Sequence, residues 1–598
     1  MTFSPPRPWI SNYAEGVPPQ IDLPAGSLFD LVEASVSEFA DNIALEFFGA
    51  TTTYAELGEQ ILRAAEGLRL LGVQKGDTVA LVLPNCPQHV VAFYAVLRLG
   101  GIVVEHNPLY TPRELRHQFE DHGAKVAILW NKVVETVQQF PADVAVDSIV
   151  SIDITRAMPL ATRALLRLPI TRAREARAAL TMVRAAPLSN SAVPSTSEHS
   201  TSEHSTVVHS TVVHWHKLLD HPTVDGHIFR PTTADVALIQ YTSGTTGSPR
   251  GATLTHLNLV SNAAQARAWV PTVQRGTSVV YAVLPMFHAY GLTLCLTFAM
   301  SMGSRLVLFP KFDPDLVLAV VKKHPATFLP AVPPIYERLA AAAARAGVSL
   351  EGIEIAISGA MPLSASVVEP WEKRTGGYLV EGYGLSETSP VLTANPVGQS
   401  RRAGTVGLPL PNTEVRIVDP ENPTVDRAAG DEGELIVRGP QVFSGYWRKA
   451  EETAAVFVPA VHGDDAGPWF RTGDIATIDA DGFVSIVDRI KELIITGGFN
   501  VAPSEVEDAL RSHPSVADVA VVGLPSTRSG EEVVAAVVLA PGAELHEQLL
   551  RDFLRPNLAG YKIPKRVFAV DELPRSLIGK VIRREVRDVL QASSHALQ

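Results

Sequence analysis

The stretch Tyr241-Thr-Ser-Gly-Thr-Thr-Gly-Ser-Pro-Arg-Gly251 combines three glycines, several hydroxyl side chains and one guanidinium within eleven residues. Glycines permit positive φ angles and let backbone N–H groups face inward, while hydroxyls and a cation add donors for charged oxygens. A short apolar run at 236–239 precedes the stretch, and an apolar-periodic segment follows from His256. The pattern therefore predicts a phosphate-wrapping loop between a strand and a helix.

The loop differs from a Walker A loop, because Pro249 stands where that pattern requires its second glycine. A flexible surface turn that binds nothing has much the same composition. The loop alone leaves both interpretations open, and the other motifs of the chain must decide between them.

The bulk composition describes a folded, acidic protein of several domains. At 598 residues the chain is too long for one core, and 46% hydrophobic against 19% charged residues excludes a disordered chain. The net charge of −12 argues against nucleic-acid binding. With Cys86 and Cys295 as the only cysteines, no signal peptide and no apolar run of about 18 residues, we expect a cytoplasmic protein without membrane-spanning segments.

Capping signals and apolar runs alternate through the first 130 residues. Capping boxes at Thr53–Glu56 and Thr111–Glu114 predict two helix starts. Strands predicted at 78–83, 102–105 and 125–129 alternate with the helices, and the last of them ends this alternation. The pattern favours a mostly parallel α/β sheet. From residue 407 short strands take over, and the last hundred residues resemble a separate small α+β unit whose first helix is capped by Ser504.

The segment 141–231 interrupts this alternation and is predicted to be an insertion. Its part 156–184 is rich in arginine, and alanines and leucines between 160 and 168 share one helical face. Such a segment can lie on an anionic membrane, as a peripheral contact, or form a solvated helix packed on its own domain.

A pentad repeat occupies 196–215 of the same segment, and its histidines are His199, His204, His209 and His214. Five-residue spacing does not align them on one helix face, and no carboxylate cluster joins them. A metal site and a mobile surface insertion are the two interpretations, and the spacing favours the insertion.

Three further motifs follow apolar runs, at 284–291, 357–362 and 381–388. Ligands of open α/β sheets bind at the carboxyl ends of strands, so we expect these loops to converge on one site. Five stretches carry a family resemblance: Asn107-Pro-Leu-Tyr-Thr-Pro-Arg-Glu-Leu115, the loop at 241, Glu381-Gly-Tyr-Gly-Leu-Ser-Glu-Thr-Ser-Pro390, Gly498-Phe-Asn-Val-Ala-Pro503 and Gly579-Lys580. Through them the chain resembles the ANL superfamily of adenylate-forming enzymes, most closely its long-chain fatty-acyl-CoA ligases.

The resemblance implies a large N-terminal domain, residues 1–490, with mostly parallel α/β subdomains and a β-rich subdomain. A small mobile α+β domain, residues 491–598, would turn about a hinge near Lys491. The implied reaction activates a fatty acid with ATP and Mg²⁺ and transfers the acyl group to CoA. The alternatives are a fatty-acyl-AMP ligase that serves a carrier protein and a catalytically silent lipid-binding scaffold. The oligomeric state stays open.

The resemblance also implies the site residues. Triphosphate contacts fall on Thr242, Ser243, Gly244, Thr245, Thr246, Gly247 and Arg250. The implied ligands of Mg²⁺ are Thr245 and Glu387. The implied nucleotide-binding residues are Gly359, Ala360, Met361, Gly382, Tyr383, Gly384, Ser386, Asp474 and Arg489. CoA would pass Gly497, Gly498 and Asn500. Lys580 would be the adenylation lysine, against an ordinary surface lysine, and His288 a gate near the acyl site, against a packed core histidine.

Two residues depart from the family pattern. Arg250 stands where the phosphate loop usually carries lysine, which keeps the charge but changes its geometry. Ser386 replaces the usual threonine before Glu387 and retains the hydroxyl.

Overall fold

The computed structural model describes residues 7–144, 146–182, 210–242, 249–459, 467–496, 499–526, 530–556, 558–576 and 579–596. Within them, four sheets carry the fold. The two larger sheets and the next, β-rich sheet share one continuous core that runs from Trp9 to Val484. The fourth sheet has separate cores on its two faces.

The first large sheet has eight strands, and most of them are parallel. In spatial order they are Gly445–Tyr446, Arg250–Thr255, Val236–Thr242, Ile102–His106, Thr78–Val82, Val126–Trp130, Ser148–Ile152 and Thr211–His214. The predicted α/β alternation is confirmed, and both capping boxes form, at Thr53 and Thr111.

The sequence predicted that the alternation ends with the strand 125–129, but the sheet continues beyond it. Ser148–Ile152 and Thr211–His214 continue it in parallel, because their β-branched side chains suit a strand that packs beside Val126–Trp130. Part of the segment expected to be an insertion thus belongs to the sheet. His214 ends that last strand, whereas His199, His204 and His209 lie outside the described residues.

The glycine-rich loop lies between two strands and not between a strand and a helix. Arg250–Thr255 pairs antiparallel with Val236–Thr242, and the helix His256–Trp269 begins only after it. The sequence reading missed this strand because its apolar residues are continuous with the following helix. The loop therefore spans the end of a two-stranded ribbon, and its residues 243–248 lie outside the described part of the chain.

The second large sheet has nine strands. In spatial order they are Leu408–Pro409, Val391–Ala394, Tyr378–Gly384, Ile355–Ser358, Phe328–Ala331, Val279–Ala282, Arg305–Leu308, Ile43–Phe47 and Ala50–Thr53. The central strands run parallel, with Ala331, Ser358 and Glu381 in register. The strands that lead into the three motifs are Val279–Ala282, Ile355–Ser358 and Tyr378–Gly384. They are parallel members of one sheet, so the motifs leave it at the same edge, as predicted.

The β-rich sheet consists of Glu414–Val418, Gly433–Arg438, Trp469–Ile478 and Phe457–Val458, with Val484–Arg489 beside Trp469–Ile478. All of its pairs are antiparallel. The last strand leads through the short helical turn Ile490–Glu492 into the C-terminal unit.

The C-terminal unit has a five-stranded sheet of Phe499–Val501, Ile494–Thr496, Gly530–Leu539, Val516–Ser526 and Arg566–Ala569. Its first helix, Pro503–Arg511, is not capped by Ser504, contrary to the prediction, since proline takes the first helical position and Ala502 precedes it. The Ser504 hydroxyl instead donates to the Val487 carbonyl at 2.6 Å, and its backbone N–H donates to Asp488 Oδ2 at 2.9 Å. The small unit is thereby tied to the last strand of the β-rich sheet.

Helices cover the faces of the sheets. They are Leu28–Glu38, Tyr54–Leu70, Pro87–Arg98, Pro112–His122, Val134–Gln138, Leu160–Leu165, Thr171–Leu180, Trp215–Leu218, His256–Trp269, Ala289–Gly291, Phe298–Met302, Pro314–Val321, Pro333–Ala346, Ala365–Thr375, Ala450–Ala454, Pro503–Arg511, Glu547–Leu554 and Arg583–Ala596, with a π-helical turn at Leu292–Thr297. Across the described residues, every helix is too short or too polar to cross a bilayer.

Candidate active site

The floor of the candidate site is the turn that follows strand Ile355–Ser358. Gly359 leaves little room for a side chain, because a Cβ there would lie 3.1 Å from Cζ of Tyr290. The Tyr290 hydroxyl donates to the Ile357 carbonyl at 2.6 Å and so fixes the ring beneath the turn. Ala360 has a positive φ of 65° and is exposed, and Met361 is half-buried. The predicted group 359–361 thus lines an open edge of the sheet.

The wall beside this turn is strand Tyr378–Gly384. A Cβ at Gly384 would lie 1.8 Å from the Pro390 carbonyl oxygen, and one at Gly382 would lie 3.2 Å from the Thr393 oxygen. Both glycines therefore permit close pairing with the antiparallel strand Val391–Ala394. Ser386 then begins the short turn Ser386–Thr388, which carries the glutamate of the motif.

Tyr383 joins this wall to the β-rich sheet. Its hydroxyl donates a hydrogen bond to Asp474 Oδ2, while Arg489 Nε lies 3.1 Å from Asp474 Oδ1 in an ion pair. Asp474 and Arg489 face each other across paired strands. Burial raises the pKa of Asp474 above its usual range, and the charge of Arg489 opposes that rise. Three predicted nucleotide residues therefore form one connected group.

Lys580 belongs to the C-terminal unit, and the charges of Asp474 and Arg489 act on it. Burial and the positive charge of Arg489 lower the pKa of its ammonium to about 8, although Glu492 and Asp474 act in the opposite direction. The preceding Gly579 has a φ of 80°, and a Cβ there would lie 3.2 Å from Met361 Sδ. The turn that carries the lysine thus rests on the edge of the nine-stranded sheet.

Glu387 lies in a second cluster nearby, on the side of the glycine-rich loop. Its side chain is 8% exposed, and Oε1 accepts a hydrogen bond from the Tyr446 hydroxyl at 2.9 Å. The guanidinium carbon of Arg250 lies 4.3 Å from the centre of the Tyr446 ring, and Arg250 Nη1 lies 3.6 Å from Glu452 Oε2. The tyrosine is therefore held between the predicted metal ligand and the predicted triphosphate cation.

Arg250 retains donor capacity toward the loop. Its Nε is buried and has no hydrogen-bond partner among the described residues. Thr242 Oγ1 donates to the Arg250 carbonyl at 3.4 Å, which closes the base of the ribbon. Ser243, Gly244, Thr245, Thr246 and Gly247 lie outside the described residues. An unpaired buried N–H is costly, so a bound anion is the partner that this geometry suits.

The residues present fit a magnesium ion that is also held by substrate. Among the described residues, no group of three or more histidine, cysteine, aspartate or glutamate side chains is placed to hold a metal alone. Mg²⁺ commonly binds through one or two carboxylates and substrate phosphates. Glu387 supplies one hard oxygen ligand, since only its Oε1 is engaged by a described side chain.

His288 lies at the start of the segment Ala289–Gly291, before the π-helical turn. Its Nδ1 accepts from the Tyr290 N–H at 3.4 Å, and burial lowers the pKa of its imidazole to about 4. The ring is therefore neutral at pH 7 and acts there through its shape and hydrogen bonding. Its half-buried position beside Tyr290 places it near the Gly359 turn.

The residues predicted for the second half-reaction are only partly described. Lys491 is largely exposed in the turn Ile490–Glu492. The pKa of its ammonium is lowered, mainly by the loss of part of its solvation and then by the charges of Arg250 and Arg489. Gly497 and Gly498 lie outside the described residues, and Asn500 pairs through its backbone with Ile495.

Sequence reasoning missed two residues of this site. Tyr446 is brought beside Glu387 by the pairing of Gly445–Tyr446 with Arg250–Thr255, a long-range contact without a local signal. Glu381 lies in the middle of strand Tyr378–Gly384, and burial raises the pKa of its carboxyl to about 8. The motif at 381–388 pointed to Glu381, but spacing could not show its burial.

Comparisons with known proteins agree with this geometry. A family model described as AMP-binding enzyme matches residues 32–447, and one described as AMP-binding enzyme C-terminal domain matches residues 505–580. The chain is 36% identical over 589 residues to a long-chain-fatty-acid–CoA ligase of Bacillus subtilis (strain 168), covering 98% of this chain and 99% of the relative. It is 33% identical over 545 residues to a feruloyl-CoA synthase of Amycolatopsis, covering 91% and 95%.

Solved structures show the same fold. ATP-bound MatB from Rhodopseudomonas palustris superimposes with a TM-score of 0.76 at 30% identity, over 94% of this chain and 98% of that chain. A Mycobacterium tuberculosis fatty acyl CoA synthetase superimposes with a TM-score of 0.68 at 25% identity, over 95% and 99%. With one family model matching most of the large unit and a second matching the small unit, this chain belongs to the AMP-binding enzyme family.

Proposed function

We propose that this chain is an ATP- and Mg²⁺-dependent ligase that converts a long-chain fatty acid to its CoA thioester. The observation that carries the proposal is the contact of the Lys580 turn with the predicted nucleotide turn 359–361: a Cβ at Gly579 would lie 3.2 Å from Met361 Sδ. A nucleotide on Tyr383 would have the Lys580 ammonium at its α-phosphate. The long-chain-fatty-acid–CoA ligase relatives, matched over nearly the whole chain, supply the substrate class.

In the first step, a carboxylate oxygen of the fatty acid bonds to the α-phosphorus of ATP, and the bond to the β-phosphate oxygen breaks. Acyl-AMP and pyrophosphate result. Both the attacking carboxylate and the transferred phosphate are negative, so a fixed ammonium at Lys580 offsets their repulsion. Arg250, the hydroxyls of Thr242 and Ser243 and the N–H groups of 244–247 hold the leaving pyrophosphate.

The nucleotide is held by the cluster on the opposite side. Asp474 and Arg489 bind the ribose hydroxyls, and the ring of Tyr383 stacks on the base beside the turn 359–361. Gly382, Gly384 and Ser386 shape the wall. The hydrogen bond from Tyr383 to Asp474 supports this assignment, because it fixes the ring and the ribose ligand relative to each other.

Glu387, with Thr245, holds Mg²⁺ in this proposal. When bound, the ion withdraws charge from the phosphate oxygens. Tyr446 orients the carboxylate by donating to Oε1, which leaves Oε2 as the oxygen that would ligate the ion. His288, neutral at pH 7, borders the acyl entry beside the Gly359 turn and excludes water from the reacting carboxyl.

In the second step, the sulfur of CoA bonds to the acyl carbonyl carbon, the bond to AMP breaks, and the thiol proton leaves with solvent. We propose that the small domain, residues 491–598, turns about Lys491 between the steps, so that Gly497, Gly498 and Asn500 replace Lys580 beside the adenylate. Separate hydrophobic cores in the large unit, residues 1–490, and in the small unit support such a division.

The test is to incubate purified protein with ATP, Mg²⁺ and fatty acids of graded length, with and without CoA, and to separate the products. Thioester formed only with CoA supports the proposal. Adenylate that accumulates even with CoA indicates instead a fatty-acyl-AMP ligase, and no product indicates a silent homologue. Lys580→Ala is the matched control, since it should stop adenylate formation while leaving ATP bound.

We also place the protein in the cytoplasm, with peripheral contact to anionic membrane through 156–184. Both cysteines are buried and free, which suits a reducing compartment. The described part of that segment is mainly exposed and carries an excess of arginine in an otherwise acidic chain.

A further inference from the structure

A small polar cavity lies beside the end of strand Val126–Trp130, in a part of the molecule that the ligase chemistry does not use. Its volume is about 170 Å³, several times the roughly 30 Å³ that one water molecule occupies in the liquid. Four arginines line it: Arg156 in the short helical turn Ile154–Ala157, Arg163 in helix Leu160–Leu165, Arg167 in the turn after that helix, and Arg177 in helix Thr171–Leu180. Asn131, Thr155 and Thr181 add neutral hydrogen-bonding groups.

The arginines have little negative charge to balance them. Asp153 is the one acid at the cavity, and its Oδ1 accepts from the Thr155 hydroxyl at 2.6 Å and from the Thr155 N–H at 3.0 Å. Arg156 Nη1 donates to the imidazole of His216 at 2.9 Å. Arg163, Arg167 and Arg177 form no ion pair within the described residues. The cavity therefore collects positive charge that an anion would neutralise.

Hydrogen bonds join one side of the cavity, residues 178–181, to the end of strand Val126–Trp130 and the two residues after it. Asn131 Nδ2 donates to Thr181 Oγ1 at 2.6 Å, and Trp130 Nε1 donates to the Leu180 carbonyl at 2.9 Å. Lys132 Nζ donates to the Ala178 carbonyl at 2.7 Å. These bonds anchor the carboxyl end of helix Thr171–Leu180 to the end of strand Val126–Trp130, so Arg177 starts from a fixed position.

Four apolar side chains between residues 160 and 170, the stretch that carries two of the cavity arginines, are exposed to solvent. Leu160 is 79% exposed, Leu165 60%, Leu168 44% and Ile170 54%. These four lie within eleven consecutive residues that also contain Arg163 and Arg167. Exposed apolar side chains interleaved with cations are typical of protein surfaces that enter the boundary between headgroups and acyl chains.

We propose that this cavity binds the phosphate of an anionic phospholipid in a bilayer, while the four apolar side chains enter the adjacent acyl region. The charge complementarity is local, since 156–184 contains seven arginines and one acid in a chain of net charge −12. Guanidinium groups suit phosphate oxygens because they present paired N–H donors. The inference deepens the proposed peripheral contact and does not depend on the ligase chemistry.

The test is flotation of the full-length protein with phosphatidylcholine vesicles, with and without phosphatidylglycerol. Wild type should float only with the anionic lipid, and less so as salt rises. Arg163→Gln/Arg167→Gln should weaken the apparent affinity about 30-fold, from the contribution of two cations near the surface. The matched control is Arg345→Gln/Arg374→Gln, which removes two exposed arginines from helices of the other large sheet and should float as wild type.

A second pair of variants separates a bilayer from a soluble phosphate. Leu165→Ser/Leu168→Ser keeps every cavity arginine, so it should bind inorganic phosphate in equilibrium dialysis as wild type does but float poorly. Equal flotation of that variant, or full displacement of vesicles by millimolar glycerol phosphate, would overturn the bilayer proposal. So would flotation unaffected by the arginine substitutions.

Adenylation of a soluble short-chain acid is measured on each variant in parallel. Unchanged adenylation with lost flotation shows that the fold and the ligase site are intact and supports the proposal. If the glutamine variant is misfolded, Arg163→Lys/Arg167→Lys retains the charge and should float at intermediate strength. Flotation of the lysine variant equal to wild type would mean that paired guanidinium donors are not used, and would overturn the phosphate cavity.

Discussion

The lowered pKa of Lys580 predicts an alkaline limit to adenylation. The pKa falls from 10.5 to about 8, which corresponds to about 3 kcal/mol against the protonated form. In the free enzyme, half of the lysine is then neutral near pH 8 and about nine tenths near pH 9. If the ammonium is the reacting form, kcat/KM for acyl-AMP formation should drop about tenfold per pH unit above 8, because kcat/KM reports the free enzyme.

The assay is pyrophosphate release from ATP and a short fatty acid, followed from pH 6 to 10. Lys580→Arg should remove the alkaline decline even where its rate is lower, since arginine stays protonated throughout. Glu492→Gln should move the decline to lower pH, because Glu492 helps to keep Lys580 charged and also binds Arg583. Glu351→Gln, at an exposed site, is the control and should leave the profile unchanged.

An unchanged alkaline decline in Lys580→Arg would refute the reasoning, since another group would then be responsible. A decline centred near the ordinary lysine value would show that Lys580 is not enclosed in the working enzyme. With ATP bound, the added negative charge should raise the pKa, so the decline in kcat is expected at higher pH than that in kcat/KM.

The remaining predictions concern single contacts. Arg250→Ala should raise the KM for ATP with little change in the KM for the fatty acid, whereas Arg250→Lys should restore most of the affinity; unaltered ATP kinetics would exclude Arg250 from the triphosphate site. Tyr446→Phe removes the hydrogen bond to Glu387 and should raise the Mg²⁺ concentration for half-maximal rate, measured at fixed ATP. Gly384→Ala should destabilise the fold by about 3 kcal/mol in urea unfolding, because its Cβ would overlap the Pro390 oxygen, while Gly226→Ala, with open space, should not.

Much of the fold follows from local signals in the sequence. The boxes at Thr53 and Thr111 place their helices because cap and partner are three residues apart. The strands between 78 and 130 follow from short apolar runs between such helices. Motif resemblance also indicated Tyr383, Asp474 and Arg489, which the structure joins through a hydrogen bond and an ion pair, and Lys580, whose turn lies against Met361.

The missed features depend on contacts between distant residues. Strand Arg250–Thr255 is stabilised on one side by Val236–Thr242 and on the other by Gly445–Tyr446, and no local pattern specifies the second pairing. The hydrogen bond from Tyr446 to Glu387 joins residues 59 positions apart. Thr211–His214 likewise becomes a strand only because Ser148–Ile152 offers it a free edge. Burial and its effect on pKa, as at Glu381, also require the assembled fold.

The bonds from Ser504 to Val487 and Asp488 have a kinetic consequence. They join the first helix of the small unit to the last strand before Lys491, so a large rotation about that residue must break them. Each such bond contributes about 1 kcal/mol net, enough to bias a conformational equilibrium severalfold but too little to lock it. The two hydrogen bonds of Ser504 would then influence the lifetime of the bound adenylate before the thiol attacks it. Stronger bonds at Ser504 would favour the arrangement that forms the adenylate and would slow the rotation that precedes thiol attack. Ser504 would have this effect without contacting any substrate.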